Sequence, residues 1–130
     1  MKLYIDTNVI IDFLWNRDSS AYSLFCRALR CEFSLIISPV VLEELRFQGL
    51  APETTTFIKL FSTADKLEIV PSTFEDRLLA RKEMSGKKTH YNDALHKVLS
   101  AKSKADIFVT NNIKHFKCFS DLVVRRPDEL

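Results

Sequence analysis

Residues 2–9 read KLYIDTNV and join a short apolar run directly to an acidic residue. The run Lys2–Ile5 favours a β-strand, because apolar and β-branched residues pack well in a sheet. Asp6, Thr7 and Asn8 are residue types that begin helices well, so a helix is predicted over residues 8–15. A strand that passes into a helix within a few residues is typical of α/β folds.

Apolar runs of the same kind recur at residues 35–38, 67–70 and 107–110, and a weaker fifth run lies at 122–124. Helices are predicted between them, over residues 20–31, from Pro39 to Gly49, and in a stretch that follows Pro52. Two more are predicted from the capping box at 72–75 to near Gly86, and from Asn92 to about Lys102. Strands that alternate with helices form parallel sheets covered on both faces, because a parallel strand cannot return through a tight hairpin. The sequence therefore predicts one α/β domain over residues 1–130, with three layers (α/β/α) and a central, mainly parallel sheet of four or five strands.

The composition is that of a folded globular protein, with 46% hydrophobic and 28% charged residues, and it argues against a disordered chain. The cysteines Cys26, Cys31 and Cys118 lack the spacing of a disulfide framework or a zinc site. The first five residues reach Asp6 before they form a signal-peptide core, and no run approaches the roughly 18 apolar residues that span a bilayer. We therefore expect a cytoplasmic protein that does not contact a membrane.

Acidic residues follow the first two predicted strands. Asp6 comes directly after the first strand, and Glu43 and Glu44 lie in the helix after the second. On a helical wheel, Glu44 falls near the centre of an apolar stripe and Glu43 at its edge. The stripe consists of Val40, Val41, Leu45 and Phe47. Because a carboxylate that faces a core is costly unless it is paired or binds a metal, Glu44 is predicted to have a metal or an arginine, Arg46 or Arg81, as its partner.

A third acid, Asp93, lies in the first turn of the helix predicted to start at Asn92. Asp6 and Asp93 each have an alternative role in stabilising a helix start. Thr110, Asn111 and Asn112 mark the exit of the fourth strand and offer further oxygen ligands. Asp106 begins that strand, roughly 13 Å from its carboxyl end, and is excluded from the site.

Ligand sites in parallel sheets lie beyond the carboxyl ends of the strands, which is where these three acids are placed. Three carboxylates that converge raise one another's pKa values unless a cation neutralises them. Magnesium and manganese ions prefer oxygen ligands, so Mg²⁺ or Mn²⁺ is the expected cofactor.

These motifs resemble the PIN-domain family, in particular the VapC-type toxins of toxin-antitoxin pairs. The resemblance rests on Ile5-Asp6-Thr7-Asn8, on Ser38 followed by Glu44-Leu45, on Asn92-Asp93-Ala94, and on Val109-Thr110-Asn111-Asn112, in this order over nearly the whole chain. It implies a metal-dependent endoribonuclease that hydrolyses RNA phosphodiester bonds, is commonly a homodimer and is inhibited by a small antitoxin protein.

The resemblance also implies roles for individual residues. Asp6, Glu44 and Asp93 are the expected catalytic and metal-binding residues, with Asn8, Ser38 and Thr110 in support. Many members of the family carry a fourth aspartate where this sequence has Asn112 or, as the weaker alternative, Asn111. Because neutral amides bind cations weakly, we expect one firmly held ion, which Asn112 touches through water.

The net charge of +2 divides unevenly, into −4 for residues 1–76 and +6 for residues 77–130. A basic half can bind phosphates, although such surfaces often serve solubility alone. The candidate RNA-binding residues are Arg81, Lys82, Lys87, Lys88, Lys97 and Lys114. His90 and His115 are expected near the rim of the site, and the histidines show no metal-ligand spacing.

Two other functions compete with a nuclease. A haloacid-dehalogenase-like phosphatase also begins with an aspartate after its first strand, but it needs a second aspartate where this chain has Asn8. A PIN domain without catalytic activity, acting in RNA or protein binding, is the stronger alternative, and Asn112 is the residue that favours it.

Overall fold

The computed structural model describes all 130 residues. Its strands are β1 (Lys2–Ile5), β2 (Ser34–Ile37), β3 (Leu67–Ile69), β4 (Ile107–Val109) and β5 (Val124–Arg125). Its helices are α1 (Thr7–Leu14), α2 (Ser19–Leu29), α3 (Pro39–Phe47), α4 (Ala51–Thr63), α5 (Phe74–Met84) and α6 (Tyr91–Lys102), with short 3₁₀ turns at Ile113–Phe116 and Pro127–Glu129.

The five strands form one sheet in the order β3-β2-β1-β4-β5, and every neighbouring pair is parallel. The central strand is β1, in which Leu3 pairs with Leu35 of β2 on one side and with Ile107 of β4 on the other. This topology confirms the predicted α/β class and the parallel sheet. It also brings the carboxyl ends of β1, β2 and β4 to the same edge.

Alternate residues of β1 face two separate apolar cores, one on each side of the sheet. Leu3 and Ile5 belong to a cluster of 18 buried residues built mainly with α1 to α4. Tyr4 belongs to a second cluster of 12 buried residues, which includes Phe108 of β4 and residues of α5 and α6. The two cores give the three-layer arrangement that the sequence predicted. No helix is both long enough and apolar enough to cross a membrane.

Two predicted helix N-caps are wrong by one or two residues. Thr73 rather than Ser72 caps α5, because the reciprocal capping bonds form between Thr73 and Asp76. Helix α6 begins at Tyr91 with His90 as its N-cap, so Asn92 does not cap this helix but lies in its first turn. The stop at Gly49 is confirmed, since Gly49 adopts a φ of +76° after the last turn of α3.

The apolar stripe predicted on α3 is only partly buried. Val40, Val41 and Leu45 are in the core, but Phe47 is 78% exposed. Phe47 lies in the last turn of α3, beside a cavity between α3 and α6 rather than beneath another helix. The wheel argument nevertheless separated the two glutamates correctly, because Glu43 is exposed and Glu44 is half-buried.

Candidate functional site

A cavity of about 350 Å³ opens at the carboxyl ends of the central strands. Asp6, Glu44, Asp93 and Asn112 all line it, although they are far apart in the sequence. Only one of its eleven lining residues is hydrophobic, which suits a charged ligand rather than an apolar one.

Asp6 is held through both of its carboxylate oxygens. Its Oδ1 accepts a hydrogen bond from the Thr7 amide at 2.8 Å, which makes Asp6 the N-cap of α1. Its Oδ2 accepts hydrogen bonds from Asn8 Nδ2 at 3.0 Å and from Thr110 Oγ1 at 2.7 Å. The same buried carboxylate therefore caps α1 and lines the cavity, so the two alternatives for Asp6 are compatible.

Glu44 extends from α3 toward Asp6, and two hydrogen bonds fix one of its oxygens. Glu44 Oε1 accepts from Thr7 Oγ1 at 2.7 Å and from His96 Nε2 at 2.8 Å. Burial raises the pKa of Glu44, but the bonds and charge of His96 and the bond from Thr7 outweigh it and hold the pKa below its usual value. Glu44 is therefore ionised at neutral pH.

The partner of Glu44 is not the arginine proposed as the alternative. The guanidinium of Arg46 lies 6.0 Å from the ring of Phe47, and that of Arg81 lies 5.0 Å from the ring of Tyr91. His96, which sequence reasoning did not single out, takes this position instead.

His96 lies on α6 and is 1% exposed. One oxygen of Asp6, one of Glu44 and one ring nitrogen of His96 all lie within 4.8 Å of one another. Burial lowers the pKa of His96, but its bond to Glu44 and the charges of Asp6, Glu44 and Asp93 raise it above the usual value. The available sequence clue was its position three residues after Asp93, because residues three apart share one face of a helix.

Both ring nitrogens of His96 already have protein partners. Nε2 bonds to Glu44, and Nδ1 lies 2.8 Å from the hydroxyl of Tyr4. His96 is therefore part of the acidic cluster as a hydrogen-bonding partner, and neither nitrogen is free to bind a cation.

Asp93 lines the same cavity from the first turn of α6 but lies outside the tight group formed by Asp6, Glu44 and His96. Burial raises the pKa of Asp93; the nearby charge of His115 lowers it, the charge of Asp6 raises it, and the net effect is upward. His115 Nδ1 lies 3.5 Å from Asp93 Oδ2. An acid with a raised pKa beside another acid is the electrostatic pattern that a bound cation relieves.

The expected supporting residues differ in what they touch. Asn8 and Thr110 bond directly to Asp6, whereas Ser38 contacts the hydroxyl of Tyr4 at 2.7 Å and touches none of the acids. Asn112 faces the cavity, while Asn111 donates to Asp12 at 2.6 Å and does not line it.

The model of the PIN domain matches residues 3–119. This chain belongs to the PIN-domain family. That membership leaves the haloacid-dehalogenase-like phosphatase without support. No curated protein sequence matches the chain.

Solved structures with this PIN fold include several toxin-antitoxin complexes. VapBC2 of Rickettsia felis, bound to a DNA fragment from its promoter, has 23% identity and a TM-score of 0.72, covering 97% of this chain and 98% of its own. VapBC-1 of nontypeable Haemophilus influenzae has 19% identity and a TM-score of 0.70, covering 98% and 99%. DNA-bound VapBC of Salmonella typhimurium has 18% identity and a TM-score of 0.72, covering 98% of each chain. At these identities the likeness shows the shared PIN fold.

The basic residues predicted to bind RNA are not equivalent. Arg81, Lys82, Lys87, Lys88 and Lys114 are exposed, as are His90 and His115, which line the cavity. Lys97 differs from the prediction, because it is 7% exposed and its ammonium pairs with Glu83 at 2.8 Å and Asp121 at 3.0 Å. Because its charge is already neutralised within the protein, Lys97 is not expected to contact RNA.

The oxygen-rich donor set of the cavity fits a hard divalent cation. Asp6 and Glu44 present fixed carboxylates, and Asp93 and Asn112 add further oxygens. Asp106 takes no part, because its Oδ2 accepts from the Lys2 amide at 2.7 Å, at the amino end of the sheet.

Proposed function

We propose that this PIN domain is a metal-dependent endoribonuclease and the toxin of a VapBC-type pair. The observation that carries the proposal is the pair formed by the buried Asp6 and the half-buried Glu44, whose carboxylate oxygens lie within 4.8 Å of each other in the lining of a polar cavity. Such a pair is electrostatically unfavourable by itself, and five hydrogen bonds from neighbouring residues hold it in place.

The residues that would hold Mg²⁺ or Mn²⁺ are Asp6, Glu44 and Asp93, with Asn112 contacting the ion through water. When bound, such an ion supplies charge neutralisation at the phosphate and lowers the pKa of a bound water. The protein positions its carboxylates for this task, because Thr7 and His96 orient Glu44 while Asn8 and Thr110 orient Asp6. With Asn112 in place of an acid, we expect one tightly held ion.

The substrate class is inferred from the exposed basic residues and from a second cavity beside the first. Arg81, Lys82, Lys88 and Lys114 are exposed cations that can contact the phosphates of an RNA strand, and Lys87 is exposed but already pairs with Glu83 at 3.1 Å. A second cavity of about 340 Å³ adjoins the first and shares Glu44 and Asn92 with it. Its lining includes the aromatic rings of Phe47 and Tyr91 and the cation of Arg77, groups that hold nucleobases by stacking.

The proposed partners are inferred from the similarity to the VapBC structures and from exposed apolar residues on α5. The antitoxin in the related VapBC complexes suggests a small antitoxin for this chain as well. Phe74 and Leu78 are 66% and 51% exposed and lie four residues apart on α5, where they form an apolar face suited to a homodimer. We expect such a complex to act in the cytoplasm.

The test is cleavage of structured RNA in Mg²⁺ or Mn²⁺ by the wild type, Asp6→Asn and Glu44→Gln. Each substitution should lower the rate by more than about 100-fold, because even partners of metal ligands are worth 10–100-fold. Glu43→Gln is the matched control, since Glu43 is adjacent in sequence but exposed, and it should cleave normally. EDTA should abolish cleavage.

Two outcomes would contradict the proposal. If Asp6→Asn cleaves as well as the wild type, the activity belongs to another site or to a contaminant. If the wild type binds RNA but never cleaves it, the chain is the non-catalytic PIN module that Asn112 favours.

A further inference from the structure

A continuous line of buried hydrogen bonds runs from the interior of the sheet to Glu44. Ser38 Oγ lies 2.7 Å from the Tyr4 hydroxyl, which lies 2.8 Å from His96 Nδ1. His96 Nε2 in turn lies 2.8 Å from Glu44 Oε1. Ser38, Tyr4 and His96 are at most 1% exposed, so water does not interrupt the line.

The direction of the last bond is fixed by chemistry. An ionised carboxylate only accepts, so His96 Nε2 carries a proton and donates it to Glu44. The other end of the ring is fixed by Tyr4, whose own ring stacks on Phe108 with centroids 5.2 Å apart. The orientation of the imidazole is therefore set by the sheet, because Tyr4 belongs to β1 and Ser38 follows β2.

Glu44 needs such support more than Asp6 does. Its side chain is 33% exposed, and a glutamate has three rotatable bonds that let its carboxylate turn toward solvent. The bonds from His96 and Thr7 both go to Oε1, so neither of them uses Oε2. The carboxylate is thereby held in one orientation through Oε1, and Asn92 is a further hydrogen-bond partner of Glu44.

Packing alone does not require this arrangement. His96, Tyr4 and Ser38 lie in or beside the apolar cluster that contains Ile36 and Phe108, where aliphatic side chains would fill space without needing partners. Polar groups buried in such a place must all be satisfied, which makes them costly as mere filling.

We infer that His96 is a positioning residue for the cation-binding carboxylate of Glu44, with Tyr4 and Ser38 fixing the imidazole behind it. This inference rests on the proposed metal dependence, but its test measures metal binding rather than RNA cleavage. Partners that orient metal ligands in this way are typically worth 10–100-fold in metal affinity.

The experiment is calorimetric titration of Mn²⁺ into the wild type, His96→Leu, His96→Gln and Tyr4→Phe, with the melting temperature of each. His96→Leu should weaken Mn²⁺ binding about 10–100-fold. His96→Gln should recover most of the affinity, because its amide N–H reaches about the same place as Nε2. Tyr4→Phe keeps the ring but frees the imidazole, so it should weaken binding by a smaller factor.

The control for a general loss of stability is Phe61→Leu, in the core on the other face of the sheet. It should lower the melting temperature and leave Mn²⁺ affinity unchanged. If His96→Leu folds and binds Mn²⁺ within about twofold of the wild type, the inference is wrong. If His96→Leu does not fold, equal affinities of Tyr4→Phe, His96→Gln and the wild type would also overturn it.

The two proposals fail in different ways. A wild type that binds Mn²⁺ but cleaves no RNA would end the nuclease proposal, and a weakened His96→Leu would still support the positioning role. If the wild type cleaves RNA in a metal-dependent way but His96→Leu binds Mn²⁺ as tightly as the wild type, the nuclease proposal stands and the positioning role of His96 is wrong. A wild type that binds no Mn²⁺ would overturn both.

Discussion

Thr110, which follows β4, donates a hydrogen bond to Asp6, which follows the neighbouring strand β1, with 2.7 Å between Thr110 Oγ1 and Asp6 Oδ2. The same hydroxyl oxygen accepts a hydrogen bond from the Asn112 amide at 3.0 Å and lies 3.3 Å from Asn8 Nδ2. One fully buried threonine therefore ties the central acid to the segment that carries Asn112. This hydroxyl is one of three donors to Asp6, together with the Thr7 amide and Asn8 Nδ2.

Replacing that hydroxyl by a methyl group tests its role. Thr110→Val keeps the shape of the side chain but removes the donor to Asp6, and should lower the free energy of unfolding by about 1–3 kcal/mol. Thr110→Ser retains the hydroxyl and is the matched variant, which should bind Mn²⁺ better than Thr110→Val does. Urea denaturation and calorimetry measure the two effects. Equal Mn²⁺ affinities for the two variants would show that Asp6 is oriented without Thr110.

The sheet and the positions of Asp6 and Glu44 were predictable because they rest on local patterns. An acid after a strand is visible in the sequence, and parallel strands bring their carboxyl ends to one edge whatever their order. The helical wheel identified Glu44 rather than Glu43 because the two differ by 100° around α3. These arguments need no knowledge of which helices touch.

The hydrogen bonds around the acids were not predictable, because they join residues far apart in sequence. Tyr4 and His96 are 92 positions apart, and each by itself resembles an ordinary core residue of a strand or a helix. The exposure of Phe47 and the burial of Lys97 have the same origin. Each depends on which other element packs against one turn of the helix. The periodicity of the helix's own sequence carries no information about that contact.

Lys97 is expected to contribute to stability and not to RNA binding. Lys97→Met removes the buried partner of Glu83, and should lower the free energy of unfolding by about 1–2 kcal/mol, with little contribution from the exposed Asp121. RNA affinity, measured by fluorescence anisotropy on the Asp6→Asn background, should stay within about twofold.

Lys114→Met is the matched control, because Lys114 is an exposed lysine next to the residues that line the cavity. Lys114→Met should leave stability unchanged and weaken RNA binding. It should also reduce the slope of log affinity against log salt concentration by about 1, the change expected for the loss of one phosphate contact. Weaker RNA binding by Lys97→Met than by Lys114→Met would restore Lys97 to the RNA-binding set.

The exposed apolar face of α5 is expected to be an interface between two copies of the chain. The double substitution Phe74→Ser and Leu78→Ser should convert a dimer into a monomer without loss of secondary structure, as measured by light scattering and circular dichroism. Leu60→Ser on α4 is the control, since Leu60 is similarly exposed at 48% and lies on another helix. A wild type that is monomeric at all concentrations would contradict the proposed homodimer.

The cap of α5 is expected to make stability depend on pH. Burial raises the pKa of Asp76, but its bonds to Lys102 at 2.8 Å and to Thr73 outweigh this effect and lower the pKa below its usual value. Because the folded-state pKa is the lower one, the contribution of Asp76 is complete above the unfolded pKa of about 4 and is lost as the pH falls through the folded-state pKa. Asp76→Asn should therefore cost about 1 kcal/mol at pH 7 and progressively less below pH 4, as measured by urea unfolding. Glu75→Gln, at an exposed position in the same turn, serves as the control. If Asp76→Asn lowers the free energy of unfolding equally at pH 7 and pH 3, the charge of the Asp76 carboxylate does not contribute to stability.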